Sequence, residues 1–250
     1  MVTLILKNSL GENLAGILHE SECKNIVIVC HGRVCTKGEH FYPELCKELA
    51  QNGFNAFRFD FSGNGESEGK FEDSTISKEI DDINSVVDYF KIENFVIFCL
   101  IGHSQGAVEA LLHQSKYNSA KCIVDIAAYA DQKDATIRKF SGEKIKELNE
   151  KGFLTLSAWG KKFNLYKKYF YDRKDYGDIR NQVKKLRVPV LIVHGTGDKD
   201  VPCNNSEKIM LALSKKGKFM PIEGADHFFK EEKHKKELIG NIIAWLKEQS

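Results

Sequence analysis

The sequence predicts an α/β fold, a mostly parallel sheet of eight strands with helices on both faces. Two observations carry this expectation. Short apolar runs alternate along the chain with stretches whose apolar residues return every three or four positions. That alternation is the pattern of a sheet whose strands are joined by helical crossovers and buried on both faces. In addition, the residues with the clearest chemistry all stand on loops that follow apolar runs, and sheets of this kind place their sites at the carboxyl ends of strands.

Each element can be justified in turn. Residues 2–7 and 13–19 read as a hairpin around Ser9-Leu10-Gly11-Glu12. Strands follow near 26–30, 55–59, 95–101, 122–127, 188–193 and 218–222. Leu45 and Leu49, with Gly53 behind them, mark one helix and its end. Ile76, Ile80, Ile83, Val87 and Phe90 recur at helical spacing and mark a second. Residues 107–113 continue a third, and Leu238, Ile242, Trp245 and Leu246 give the last helix its apolar stripe. Repeats and low-complexity linkers are absent from the sequence, so the 250 residues read as one domain.

Composition narrows the function classes. Hydrophobic residues make up 42 %, enough for a sizeable core. The 37 basic and 35 acidic residues nearly cancel, which gives no reason to expect a nucleic-acid or membrane partner. Seven cysteines, an odd number with three inside strand patterns (Cys30, Cys99 and Cys122), fit a reducing, cytoplasmic setting. The apolar start at residues 1–6 is too short for a signal peptide, and no run is long enough to span a membrane. No Cys-x-x-Cys pair or His/Cys cluster has zinc spacing, so no metal is expected. A homodimer is compatible with this composition, which leaves the oligomeric state open.

Gly102-His103-Ser104-Gln105-Gly106 follows the apolar run 95–101 directly and opens a helix. A serine between two glycines at such a junction has the form of a nucleophile elbow, a turn too tight for flanking side chains. The helix that follows directs its partial positive charge at the reacting group. The plainer alternative is a glycine-rich turn after a strand.

Two further loops supply what a serine needs. A hydroxyl is a weak nucleophile until an imidazole takes its proton, and a carboxylate must orient that imidazole. After the strand at 188–193 the chain reads His194-Gly195-Thr196-Gly197-Asp198-Lys199-Asp200-Val201-Pro202. After the strand at 218–222 it reads Glu223-Gly224-Ala225-Asp226-His227. The order nucleophile, acid, histidine selects Ser104, Asp198 and His227. Asp200 is the rival acid and Asp125 a more distant one. Of the remaining histidines, His19, His40, His113 and His234 read as surface or packing residues. His103 reads as structural, and His194 as a brace for the acid loop.

Acyl transfer also needs two donors for the oxygen that becomes negative. The backbone amides of Gln105 and of Arg33, in the turn His31-Gly32-Arg33 after the strand at 26–30, are the candidates. His31 and Gly32 then border the substrate, unless this is an ordinary strand-exit turn. The Arg33 guanidinium could meet an anionic or polar substrate group. The loop Asp60-Phe61-Ser62-Gly63-Asn64-Gly65-Glu66-Ser67 lacks the glycine spacing of a nucleotide-binding turn and reads as a hydrogen-bonded structural loop.

Together, His31-Gly32, residues 60–67, Gly102-His103-Ser104-Gln105-Gly106, His194-Gly195-Thr196-Gly197-Asp198 with Val201-Pro202, and Gly224-Ala225-Asp226-His227-Phe228-Phe229 resemble the α/β-hydrolase superfamily. They are most similar to its serine-aminopeptidase-like branch, which includes monoacylglycerol lipases and cinnamoyl esterases. The resemblance runs from about residue 25 to 230. It implies cofactor-free cleavage of an ester, thioester or amide through a covalent acyl-enzyme. Ala107 stands where many relatives carry glycine, and it is small enough for close packing to survive.

One stretch breaks the rhythm. Residues 131–187 are too many for a simple crossover, and in this fold such a segment is the usual cap insertion. It is rich in aromatics and carries 16 Lys or Arg against eight Asp or Glu, a net +8 where the remainder carries −6. It reads either as an apolar lid with a basic rim or as a small helical subdomain packing its own core. Trp159 and Phe163, four apart, are expected to share a helical face and line the pocket. The expected function is a serine hydrolase of small carboxylic esters. Thioesterase, peptidase and acyltransferase chemistry, or a catalytically silent ligand-binding role, are the alternatives.

Overall fold

Apolar runs bounded by polar loops become strands, and stretches of helical period become helices. The computed structural model describes residues 1–140, 142–158 and 161–250. It begins with strands β1 (Val2–Lys7), β2 (Asn13–His19) and β3 (Asn25–Cys30), helix α1 (Tyr42–Gln51), β4 (Asn55–Phe59) and α2 (Ile76–Ile92). Next come β5 (Val96–His103), α3 (Gln105–Tyr117) and β6 (Cys122–Ile126). Six elements then intervene before the sheet resumes: α4 (Gln132–Lys139), α5 (Glu143–Lys151), β7 (Phe153–Ala158), β8 (Lys161–Tyr166), α6 (Lys167–Tyr176) and α7 (Arg180–Val183). The chain closes with β9 (Val190–Gly195), α8 (Asn204–Leu213), β10 (Gly217–Ile222) and α9 (Glu232–Gln249).

The main sheet has eight strands in the order β1-β2-β4-β3-β5-β6-β9-β10. β2 pairs antiparallel with β1 and β4, and every other pairing is parallel. This is the expected eight-stranded, mostly parallel architecture. The alternation in β3 shows why its run is continuously apolar. Ile26 and Ile28 join the core beneath α2 and α3, while Val27 and Val29 join the core beneath α1 and α9. A strand covered on both faces has no solvent side to spend on polar residues.

The structure departs from expectation at Phe163, which lies not on a helical face but in β8, where β7 and β8 pair antiparallel with Leu154 opposite Leu165 and Leu156 opposite Phe163. The apolar residues here alternate, which is strand periodicity, and the i, i+4 coincidence misled the helical reading. Leu154, Leu165, Phe140, Leu148 and Tyr169 form a small separate core with Phe71.

At the switch from β5 to α3, two glycines are fixed by backbone rather than by flexible side chains. A Cβ on Gly102 would lie 2.3 Å from the Gly106 carbonyl oxygen, and one on Gly106 would lie 2.4 Å from the His31 oxygen. The elbow is therefore pressed against the end of β3. Gly106→Ala is expected to cost about 3 kcal/mol, because its Cβ would press on the backbone carbonyls of both His31 and Cys30 at the end of β3. Urea unfolding measures it, and a midpoint equal to wild type would show slack at this position.

Candidate active site

The strand-to-helix turn leaves Ser104 with φ 56° and ψ −115°, a conformation side chains rarely adopt. It is held there by its own backbone. The Ser104 amide donates to the Ile126 carbonyl at 2.7 Å, and its carbonyl accepts from the amides of Ala107 and Val108. Ala107 is fully buried against this turn, so alanine is accommodated where a larger side chain would not be.

Two later loops meet at the same edge of the sheet. A Cβ on Gly195 would lie 2.2 Å from the Ala225 oxygen, so only glycine lets the loops after β9 and β10 pack backbone to backbone. The Gly197 amide then donates to the Ala225 oxygen, and the Gly224 amide to the Thr196 hydroxyl. This packing joins the side chains in series. Ser104 Oγ lies 3.0 Å from His227 Nε2, and His227 Nδ1 lies 2.6 Å from Asp198 Oδ2.

The carboxylate is surrounded by donors. Asp198 Oδ1 accepts from the amides of Asp200 and Val201, both at 2.8 Å, and Oδ2 also accepts from His194 Nε2 at 3.1 Å. Burial pushes this carboxyl up. The hydrogen bonds from His194 and His227, the charge of His227 and the Val201 amide more than reverse that, leaving it well below the usual range. His194 is itself pinned by Ser206 and by the Val201 carbonyl, so it braces the acid loop. The rival acids are placed elsewhere. Asp200 contributes its backbone amide to Asp198 and its carbonyl to the Tyr129 hydroxyl. Asp125 is fully buried, its carboxyl pushed up to about 6, and accepts from the Ala128 amide.

A relay of neutral groups ties these loops to the turn after β3. The Gly32 amide donates to the Tyr42 hydroxyl, and that hydroxyl donates to His103 Nδ1 at 2.7 Å. His103 Nε2 in turn donates to the His227 carbonyl at 2.9 Å. Burial and the nearby His227 charge hold the His103 imidazole far below its ordinary value, and burial keeps the Tyr42 phenol protonated. Each donor and acceptor therefore has a fixed role. Among the described residues, no acceptor engages the backbone amides of Arg33 or Gln105. Gly32 packs close to Ser104, since a Cβ there would lie 3.4 Å from the serine Cβ.

His31, expected to border the substrate, is engaged within the protein. Its Nδ1 donates to the Gly32 carbonyl and its Nε2 accepts from the Phe61 amide, so both ring nitrogens are consumed in bracing the loop. The loop at 60–67 is structural, as expected: Asp60 accepts from the amides of Lys37 and Glu66 and pairs with the Lys37 ammonium at 2.6 Å.

Beside Ser104 lies a narrow cleft with room for little more than a water molecule. Arg33, Gln105, Val108, Ala135 and Phe140 line it, together with Tyr129 and, from α6, Tyr169 and Arg173. Phe163 is not among them, because it packs edge-on against Phe71 with ring centroids 4.8 Å apart. Trp159 lies outside the described residues. Sequence reading missed Tyr42, Tyr169 and Arg173. Their only sequence signal is a polar or cationic residue within an otherwise helical stretch. His40, read as a packing residue, stacks on Phe228 beside His227 at 4.3 Å. With Cys35 and Glu39 it brings three ligand-type atoms within 4.8 Å of one another. Burial and Glu39 push that thiol up to about 12, which opposes the thiolate a metal requires.

A family model described as serine aminopeptidase, S33, matches residues 21–162. The chain belongs to this family of α/β-hydrolases. The uncharacterized protein YfhR of Salmonella typhimurium is 31 % identical over 207 residues, covering 80 % of this chain and 63 % of the relative. The chain thus spans just under two thirds of that relative's length. Human mitochondrial palmitoyl-protein thioesterase ABHD10 is 28 % identical over 171 residues, 66 % of this chain and 53 % of the relative. Among solved structures, ferulic acid-bound Est1E from Butyrivibrio proteoclasticus superposes with a TM-score of 0.84 at 26 % identity over 98 % of both chains. Among the described residues, no helix of this α/β-hydrolase is long and apolar enough to cross a membrane.

Proposed function

We propose that the chain is a serine hydrolase that cleaves small carboxylic esters through an acyl-enzyme. The observation that carries the reading is the series Ser104 Oγ, His227 Nε2, His227 Nδ1 and Asp198 Oδ2, with contacts of 3.0 and 2.6 Å. On this reading Ser104 attacks the carbonyl carbon while His227 Nε2 takes its proton. The developing oxyanion is received by the Arg33 and Gln105 amides, whose hydrogens are not spent elsewhere among the described residues. Collapse breaks the acyl C–O bond, and the alcohol departs with the proton held on His227. Water then adds by the same steps and releases the acid. Asp198 holds the imidazole tautomer that accepts at Nε2 and stabilises the imidazolium.

Support comes also from the relatives, one crystallised with ferulic acid and one named a palmitoyl-protein thioesterase. A thioester follows the same steps, with sulfur as the leaving atom. The test is labelling by a fluorophosphonate followed by peptide mass analysis, alongside an ester and thioester panel. Phosphonylation at Ser104 with ester turnover is expected. A folded protein that is neither labelled nor active on any ester or thioester would instead fit a silent ligand-binding member of the fold.

A further inference from the structure

We propose that Arg33 and Arg173 form an anion subsite beside Ser104, so that the preferred substrate carries a free carboxylate at the far end of its acyl chain. The proposal rests on the serine-hydrolase reading of the site and names its substrate class.

The two guanidiniums share one cleft and one phenol. Arg33 Nη1 donates to the Tyr169 hydroxyl at 2.9 Å, and Arg173 Nη1 donates to the same oxygen at 3.0 Å. Arg173 also donates to Gln105 Oε1 at 2.9 Å and to Gln132 Oε1 at 2.6 Å. Every one of these acceptors is neutral. Among the described residues, neither arginine has a carboxylate within salt-bridge distance. Arg173 is only 5 % exposed, and a buried cation without a counter-ion is costly to keep.

Two acids stand behind Gln105, on the side away from Arg173. Gln105 Nε2 donates to Glu79 at 2.9 Å and to Glu109 at 3.0 Å. Glu109 is fully enclosed, and burial with Glu79 alongside pushes its carboxyl far up. The Gln105 side chain stands between both carboxyls and Arg173, its nitrogen spent on the acids and its oxygen on the guanidinium. The surroundings point the same way, since residues 131–187 carry a net +8 and draw anions toward the cleft.

The cleft takes the acyl side of the ester. The leaving alcohol must collect its proton from His227, yet His227 is absent from the cleft lining, which includes Ser104 and Gln105. Val108 and Ala135 are apolar walls that a short methylene chain would have to spread on entering, and the guanidinium fork suits a planar carboxylate. Hydrolysis breaks the acyl C–O bond of a dicarboxylic acid monoester, adds water, and releases an alcohol and a dicarboxylate.

The test compares kcat/KM for the monoethyl esters of succinic, glutaric and adipic acids with ethyl butyrate, valerate and hexanoate. Wild type is expected to favour an anionic ester by about 10- to 100-fold, the worth of charge-assisted hydrogen bonds. The ratio is expected to collapse toward unity in Arg173→Met, to fall in Arg33→Met, and to be partly restored in Arg173→Lys. Because Arg173→Met could loosen the fold, calorimetric binding of glutarate to the wild-type protein is a second readout, expected to weaken with added salt. An enzyme labelled at Ser104 that shows no anionic preference and binds no glutarate overturns the subsite and leaves the hydrolase reading intact. Glutarate bound to a protein whose Ser104 resists labelling would keep the subsite and reject the hydrolase reading.

Discussion

Replacing Ser104 with Ala is expected to lower ester turnover by about a million-fold while leaving the unfolding midpoint nearly unchanged. The two halves of this expectation have separate causes. The hydroxyl meets His227 Nε2 at 3.0 Å, and among the described residues it makes no hydrogen bond to the backbone. The elbow is shaped by Gly102, Gly106 and the Ser104 backbone, and alanine tolerates φ 56° about as well as serine does. Residual rate would come from binding and the two backbone amides alone. Adding His227→Ala to the variant should then cost little more, because an imidazole with no hydroxyl to deprotonate has lost its task. Rates of p-nitrophenyl butyrate hydrolysis and urea midpoints measure both parts. A folded Ser104→Ala protein keeping more than about a tenth of the wild-type rate would exclude Ser104 as the nucleophile.

The parts of the site that could be read from the sequence are those that depend on local chain geometry. Gly102 and Gly106 announce a turn without room for side chains, and the loops carrying Asp198 and His227 each follow an apolar strand. Parallel topology brings such loops to one edge of the sheet, so their meeting follows from order alone. The cleft was hidden for the opposite reason. Arg173 reaches Gln105 across 68 positions, and Tyr169 reaches Arg33 across 136. No periodicity encodes contacts of that span. The pairing of β7 with β8 is not legible because these strands are short and Trp159 and Phe163 fall four apart in the sequence, whereas Phe163 packs on Phe71 from a strand. His31 reads as a substrate neighbour because it follows a strand at the start of the turn that carries Arg33, and nothing in the sequence marks its bracing role. Its two ring nitrogens instead close hydrogen bonds that hold that turn in place.

Asp198→Asn is the second large effect, with kcat expected to fall about ten-thousand-fold without loss of the fold. The reasoning turns on which side of the new amide can face which neighbour. Asp198 Oδ1 accepts from two backbone amides, at Asp200 and Val201, and neither can become an acceptor. The Asn carbonyl must therefore occupy the Oδ1 place, and its NH2 group must take the Oδ2 place facing His227 Nδ1 and His194 Nε2. His227 then escapes a clash of donors only by shifting its proton from Nδ1 to Nε2. In that tautomer Nε2 presents a hydrogen to Ser104 and cannot remove one. The same substitution changes acid sensitivity. Because the folded carboxyl sits well below its unfolded value of about 3.9, Asp198 contributes stability that is complete above that value and declines as pH falls beneath it. The stability gap between wild type and Asp198→Asn should therefore be widest near neutrality and narrow below about pH 4. A gap that stayed constant on acidification, together with near-normal kcat, would show that the carboxylate neither orients His227 nor gains from its donors.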